Sequence, residues 1–231
     1  MKRIKAIVLA TAMSMTVVTT ANAHDVDLNV PGGALSYTFG VQFAIQISQQ
    51  VGNLGVPLSG EVLAQAIADV LMASELKLSE EQMQAALQEF ADNQMKMQQE
   101  IVEMVIASGE EFRADFATQE GVQSTDSGLL YKVFEEGEGA KPGSDSTVTV
   151  HYRGTLTDGS EFDSSYSRDE PTTFSLGGII PGWVEALQLM SVGAKYQIVI
   201  PPELAYGEQG SPPVIPPSAT LVFEIELLAI E

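Results

Sequence analysis

The chain's one tryptophan, Trp183, lies directly behind a Pro-Gly pair in the stretch GGIIPGWVEALQLM. Pro181 and Gly182 are typical of a turn. Trp183, Leu187 and Met190 recur at i, i+4 and i+7, which predicts a short helix with the indole facing inward. An inward indole is either part of the core or the floor of an apolar binding pocket. Both interpretations stay open from this stretch alone.

Residues suited to acid-base, nucleophilic or metal chemistry are scarce. The sequence has two histidines, His24 and His151, and no cysteine. The usual zinc clusters cannot be assembled from this set, and a Ser-His-Asp site would depend on one of the two histidines. We expect His24 in a frayed terminus and His151 in a strand, where its role is structural. We expect no metal and no other cofactor.

The N-terminus has the pattern of a secretory signal peptide. Lys2, Arg3 and Lys5 precede an apolar run at 6–18, and the small residues of ANA end at Ala23. This order matches a basic region, a short apolar region and a cleavage site. The alternative is a membrane anchor, but the apolar run is well short of the ~20 residues that cross a bilayer. We therefore predict a signal peptide at 1–23 and no membrane span.

The expected mature chain is strongly acidic. Removing 1–23 leaves eight Lys and Arg against 31 Asp and Glu, a net charge of −23. Such a surface repels phosphate backbones and anionic membranes, so nucleic acid is not an expected partner. The absence of cysteine excludes disulfides, thiolate catalysis and lipid attachment at a cysteine. We predict a soluble, exported protein.

Two helical regions precede any strand pattern. The apolar segment from about Leu35 to Met72 predicts a compact helical module, with Ser59 capping its second helix. Because this segment is short for an independent core, we expect two copies to pack together. From Ser79 the spacing predicts one long helix, and SEEQ at its start is a capping box. Unbroken to about Glu120, it would span roughly 60 Å.

The long helix carries two open questions. Gly109 interrupts the pattern, so either a kink or a second helix capped at Ser108 is compatible with it. A stripe of mostly apolar residues follows steps of four and three. The stripe suits an adaptable chaperone surface or ordinary helix packing and a dimer seam. Its members are Met83, Leu87, Phe90, Gln94, Met97, Ile101, Met104 and Ser108.

After Gly121 the pattern changes to strands. The stretches GLLYKVFEEGEG, STVTVHYRGTL and ATLVFEIELLAIE are rich in β-branched and aromatic residues, alternate in polarity and end at turn residues. They predict an antiparallel sheet, and the whole chain is therefore of the α+β class. GEGAKPG lacks the spacing and the strand-then-helix context of a nucleotide loop, so we interpret it as a connection.

Five separated motifs of this sheet region occur in the same order and at the same spacing as in a known protein family. VTVHYRGTLTDGSEFDSS, IIPGW, ALQLMSVG, PPELAYG and IPPSATLVFEIELL resemble the peptidyl-prolyl cis-trans isomerase domain of the FKBP family. The signal peptide, LSYTFG and the long helix resemble the macrophage infectivity potentiator (Mip) subgroup of Gram-negative bacteria. The resemblance implies an antiparallel sheet around a short helix, and an N-terminal module that forms an intertwined V-shaped dimer.

With the resemblance, the chain divides into four predicted segments. They are a signal peptide at 1–23, a helical dimerisation domain at 24–78, a long connecting helix at 79–120 and an FKBP-type isomerase domain at 121–231.

The resemblance also implies a site. Trp183 becomes the floor on which a proline ring sits, with Tyr206 and Asp163 as polar groups. As catalytic residues it implies Asp163, Tyr206, Phe162 and Trp183. As substrate-binding residues it implies Tyr152, Ile179, Ile180, Val214, Ile215, Phe223 and Arg168. Arg168 would pair with Asp163. Apart from the resemblance, the aromatic residues are more typical of a core than of a pocket, and Asp163 is typical of a turn or a helix cap.

The chemistry suits a chain with few nucleophiles. Rotating an X-Pro amide makes and breaks no covalent bond, so an apolar pocket that favours the twisted amide is sufficient.

We predict an exported isomerase that accelerates protein folding, with chaperone activity. The alternative is a dimeric holdase with weak or no isomerase activity. The implied partners are proline-containing unfolded or partly folded chains, macrolides of the tacrolimus and rapamycin type and a second copy. The implied location is the periplasm, with the cell surface as an alternative.

Overall fold

The computed structural model describes residues 27–52 and 57–231. The predicted signal peptide and His24 lie outside the described residues, as does part of the connection before Ser59. The chain divides into two compact units with the boundary between Lys77 and Leu78. Within the described ranges, no helix has the length and apolar character needed to cross a bilayer.

The first unit contains two helices, α1 at Gly33–Gly52 and α2 at Gly60–Leu71. Ser59 caps α2 as predicted, because the Val62 N–H donates to its Oγ at 3.3 Å. No described residue of α1 is buried. Its exposed large apolar side chains are Leu35, Tyr37, Phe39, Val41, Phe43 and Ile45.

The second unit begins with the long helix α3 at Glu80–Ala117. The predicted capping box is confirmed. Gln82 N–H donates to Ser79 Oγ at 3.2 Å, and Ser79 N–H donates to Gln82 Oε1 at 2.9 Å. The 38 residues form one helix of roughly 57 Å. A second helix capped at Ser108 is therefore wrong, since α3 continues through Gly109.

Seven strands of the second unit form one sheet in which all paired strands are antiparallel. The strand order is β1-β2-β6-β7-β3-β4, and β5 pairs with β3. The three predicted strand stretches are confirmed as β2, β3 and β7. The strand bounds are β1 Val122–Ser124, β2 Leu130–Glu135, β3 Thr147–Leu156, β4 Glu161–Ser164, β5 Thr172–Ser175, β6 Lys195–Ile200 and β7 Leu221–Ile230.

One short helix, α4 at Pro181–Leu189, covers the core face of the sheet. Pro181 occupies the first turn, where its missing N–H costs no helical hydrogen bond. Trp183, Leu187 and Met190 are all buried, which confirms the predicted inward face. Strand residues alternate toward the same core, for example Val148 and Val150 of β3. The fold is thus α+β, with helices first and then an antiparallel sheet around a short helix.

Candidate functional site: an aromatic cluster around Trp183

Three aromatic rings contact a buried indole, and a fourth ring contacts one of the three. Trp183 is 4% exposed, and its ring lies 5.2 Å from the rings of Tyr152 and Phe223. The interplanar angles are 84° and 85°, so both contacts are edge-to-face. Phe162 meets Phe223 in the same way at 5.4 Å and 88°. Edge-to-face contacts place positive ring edges against negative ring faces, which fixes each ring relative to the next.

Adjacent strands of the sheet bring these residues together. Tyr152 comes from β3, Phe162 from β4 and Phe223 from β7, and β3 pairs with both of the others. Gly154 lies opposite Asp163 on one side and opposite Phe223 on the other. A Cβ at Gly154 would lie 2.7 Å from both the Phe162 and the Phe223 ring. The two rings can meet because β3 has no side chain between them.

Three polar side chains, those of Tyr152, Asp163 and Arg168, bond to one another at the edge of the aromatic cluster. The Tyr152 phenol donates to Asp163 Oδ2 at 2.5 Å, and Arg168 Nη1 donates to Asp163 Oδ1 at 2.6 Å. Arg168 Nη2 also donates to the Tyr152 phenol oxygen at 2.9 Å. The predicted pairing of Arg168 with Asp163 is present. Both carboxylate oxygens are therefore occupied, and Asp163 is held in one orientation.

These bonds set the charge states of the group. Burial opposes ionisation of Asp163, but the hydrogen bonds from Tyr152 and Arg168 outweigh it and hold the pKa of the carboxyl below its ordinary value. Burial, followed by the bond to Asp163, raises the pKa of the Tyr152 phenol. The bonds to Asp163 and Tyr152 raise the pKa of Arg168. At neutral pH the group thus holds a carboxylate, a neutral phenol and a guanidinium.

Two further elements place the other predicted residues. Ile179 and Ile180 immediately precede α4 and pack, half-buried, against the core that contains Trp183. Ile215 is buried in the same core, whereas Val214 is exposed. Both belong to the loop at 210–218, which we call the flap. Tyr206 is 43% exposed.

Two hydrogen-bond donors of the predicted site have no partner among the described residues. These are the phenol of Tyr206 and the backbone N–H of Ile180. The indole Nε1 of Trp183 is buried and is likewise unpaired within the described part of the chain. Ring packing, and not a hydrogen bond, therefore holds the indole.

Sequence reasoning missed one aromatic residue of the cluster. The Phe174 ring lies 5.4 Å from Trp183 and 5.7 Å from Tyr152, again edge-to-face. Phe174 comes from β5, a strand of four residues that is too short for its alternation to be conspicuous. The pairing of Phe174 with Val148 of β3 is what directs it to the core.

The described histidine, His151, lies in β3 as predicted. Its ring stacks on Tyr166 at 4.7 Å, and its Nδ1 lies 2.9 Å from Ser165 Oγ. Ser165 Oγ also accepts the Tyr152 N–H at 2.7 Å, so this residue holds the middle of β3 at Tyr152. No group of three or more metal-binding side chains occurs in the described part of the chain.

Two family models match adjoining parts of the sequence. Residues 138–228 match the model of FKBP-type peptidyl-prolyl cis-trans isomerase. Residues 33–133 match the model of the domain amino terminal to FKBP-type peptidyl-prolyl isomerase. Together they span the helices and the sheet domain described above.

Curated relatives and a solved structure agree with these matches. The FKBP-type 22 kDa peptidyl-prolyl cis-trans isomerase of Escherichia coli K12 is 43% identical over 187 residues, covering 80% of this chain and 91% of the relative. The outer membrane protein MIP of Legionella longbeachae is 36% identical over 235 residues, covering 100% and 98%. The crystal structure of FkpA from Escherichia coli matches with a TM-score of 0.72 and 37% identity, covering 88% and 98%.

The sheet around α4, the matched models and these relatives define the class together. The chain belongs to the family of FKBP-type peptidyl-prolyl cis-trans isomerases and is an enzyme of that class. Within the family it resembles the FkpA and Mip-type proteins, which share both the N-terminal domain and the isomerase domain.

Proposed function

We propose that this isomerase seats the proline ring of an X-Pro segment against Trp183. The observation that carries the proposal is the edge-to-face packing of Tyr152, Phe174 and Phe223 around that indole. Phe162 extends the wall through Phe223. Ile179 and Ile180 form an aliphatic rim, and Val214 and Ile215 cover the site from the flap.

The reaction needs little beyond a dry, shaped pocket. The planar X-Pro amide has a rotation barrier of ~18–20 kcal/mol because of its partial double bond. At the twisted transition state conjugation is lost and the carbonyl is less polar, so apolar walls hold this state better than the planar amide. The binding energy of aromatic walls thereby lowers the barrier without a nucleophile.

The polar residues have separate roles in this proposal. The free phenol of Tyr206 and the free N–H of Ile180 are the donors for carbonyl groups of the bound chain. Asp163 stays ionised, and with Arg168 it holds the Tyr152 phenol so that the ring faces the proline. A carboxylate with both oxygens occupied acts through charge and position, not by transferring a proton.

The test is the isomerisation of a short Leu-Pro peptide by residues 24–231. We expect wild-type catalysis to be inhibited by tacrolimus or rapamycin, and to fall at least about tenfold in Trp183→Ala and Asp163→Ala variants that remain folded. Thermal unfolding of each variant is the control for folding. Full activity in a folded Trp183→Ala variant would refute the pocket.

We further propose that the first unit makes a homodimer. The support is the set of six large apolar side chains that α1 exposes, because clustered exposed apolar residues commonly mark a protein-protein contact. A second copy is the occupant that hides the same residues on both chains. Light scattering should return twice the chain mass at micromolar concentration. A monomer mass would contradict the proposal.

Chaperone activity is proposed from the exposed stripe of α3. Met83, Leu87, Met97, Ile101 and Met104 all expose more than a third of their surface. Flexible thioethers adapt to varied apolar chains, so the stripe suits unfolded clients. Deleting residues 24–120 tests this proposal. The domain at 121–231 should keep kcat on the peptide and lose protection of a model client against aggregation.

Export to the periplasm is proposed from the signal-peptide pattern at 1–23, with the cell surface as the alternative. Expression in a Gram-negative host, fractionation and N-terminal sequencing test it. A mature chain that begins at His24 in the periplasmic fraction supports export. An unprocessed chain in the cytosol overturns it.

A further inference from the structure

The segment at 216–220, which is the C-terminal end of the flap and the two residues after it, lies alongside the long helix. Near one end, a cavity of about 250 Å³ separates α3 residues around Val105 from Pro216, Ala219 and Thr220. On the other side of the helix, a cavity of about 240 Å³ lies between Arg113 and Ser218. Val105 also packs on the core that includes Ile215 and Ala219. Residues of this segment and residues of α3 therefore line two cavities together.

Gly109 is the closest point of this contact. It is buried in α3, and a Cβ there would lie 2.5 Å from Thr220 Oγ1 and 3.2 Å from Thr220 Cβ. Glycine in a helix interior costs ~1 kcal/mol relative to alanine. Because α3 is unbroken here, we attribute the glycine to the close approach of Thr220, which leaves no room for a Cβ.

Arg113 binds the same residue one turn later. Its Nη1 donates to Thr220 Oγ1 across a separation of 107 residues. No ion pair among the described residues involves Arg113. Thr220 is 2% exposed, so its hydroxyl has little access to water as a substitute partner. The two α3 residues thus hold Thr220 from adjacent turns.

Thr220 lies at a junction of the pocket. It lies two residues after the flap and immediately precedes β7, which carries Phe223 three residues later. The flap has further backbone contacts, among them the bridge between Ser211 and Ile215 and the bond from Ser218 N–H to the Gly207 carbonyl at 2.9 Å. A shift of Thr220 would move the flap and the Phe223 wall together.

We propose that Gly109 and Arg113 are positioning residues for the isomerase. Acting through Thr220, they hold the flap where Val214 and Ile215 cover the bound proline. The inference rests on the proposed pocket and adds a role for α3 in it. It predicts that loosening the α3 contact weakens substrate binding more than it slows the rotation step, because the flap contacts the planar and the twisted amide alike.

The experiment compares Arg113→Ala, Thr220→Val and the double variant in residues 24–231. Thr220→Val removes the hydroxyl and keeps the shape of the side chain. Lys96→Ala is the matched control, because it removes an exposed α3 cation that pairs with Glu100 at 3.9 Å. The measurements are kcat and KM on a Leu-Pro peptide, together with amide hydrogen exchange of 207–220.

We expect Arg113→Ala to raise KM about 2- to 30-fold with kcat nearly unchanged, and to speed exchange of 211–218. Thr220→Val should do the same. The double variant should match either single variant, since all three remove one bond. Lys96→Ala should behave like the wild type.

Two failures are distinguishable. Unchanged KM and unchanged flap exchange in Arg113→Ala would overturn the positioning role, even if its melting temperature falls. Additive effects in the double variant would also overturn it. If a folded Trp183→Ala variant keeps full activity, the pocket itself is wrong, while the exchange result still decides whether α3 holds the flap.

Discussion

Gly154→Ala tests the construction of the site with the smallest side-chain change available. The added Cβ would lie 2.7 Å from Phe162 Cε2 and Cζ and from Phe223 Cε1. An ordinary contact begins near 3.4 Å, so one or both rings must move by roughly 0.7 Å. Phe223 is held edge-to-face by Trp183, which leaves Phe162 as the ring that moves more freely.

The size of the effect follows from the displacement. Overpacking of this kind costs about 1–3 kcal/mol, which for a unit of this length lowers the melting temperature by roughly 2–12 °C. Because misplacement by about 1 Å costs on the order of 100-fold in rate, we expect kcat/KM to fall about 10- to 30-fold. The variant should remain folded at 25 °C.

The assay is isomerisation of the Leu-Pro peptide, with thermal unfolding measured on the same samples. Gly177→Ala is the matched control, since nothing lies within 4 Å of a Cβ at that glycine. Its activity and melting temperature should stay close to those of the wild type. A Gly154→Ala variant with wild-type kcat/KM would refute the assignment of Phe162 and Phe223 as pocket walls.

Three other changes have defined outcomes. Tyr152→Phe removes the phenol hydroxyl that joins Asp163 and Arg168. Urea unfolding should show that the free energy of unfolding falls by about 1–2 kcal/mol, and an unchanged value would contradict this prediction. Because the folded pKa of Asp163 is lowered, its ionised form stabilises the fold above the ordinary pKa of about 3.9. The stability gap between wild type and Asp163→Asn should therefore be largest near neutral pH and shrink as pH falls below about 4, whereas a gap independent of pH would refute this. Ser79→Ala breaks the capping box and should destabilise the start of α3 by about 0.5–2 kcal/mol. Amide exchange at Gln82 should become faster, while peptide activity stays unchanged. Exchange at Gln82 as slow as in the wild type would argue against the cap.

Local patterns predicted the elements well. Alternation indicated β2, β3 and β7, and the spacing of Trp183, Leu187 and Met190 indicated the buried face of α4. The capping signals at Ser59 and Ser79 also predicted helix starts that the structure confirms. Each of these signals links residues no more than four positions apart at each step, so neighbours in the sequence are enough to specify it.

The role of Gly109 could not be predicted from its neighbours in the sequence. From the sequence, a glycine in a long helix suggested a kink or a new cap. The structure has an unbroken helix with Thr220 pressed against that glycine. Phe174 was missed for a related reason, since its strand has only four residues and its direction comes from pairing with β3.

By itself the sequence determined the helical regions, three of the seven strands, the inward indole and the scarcity of nucleophiles. The tertiary structure alone decided which rings meet at Trp183 and that both oxygens of Asp163 accept hydrogen bonds. It also decided that α3 contacts Thr220, immediately before β7. The physical reason is the range of the interactions. Periodicity and caps depend on residues a turn apart, whereas the Arg113–Thr220 bond joins residues 107 positions apart and exists only after the sheet has assembled.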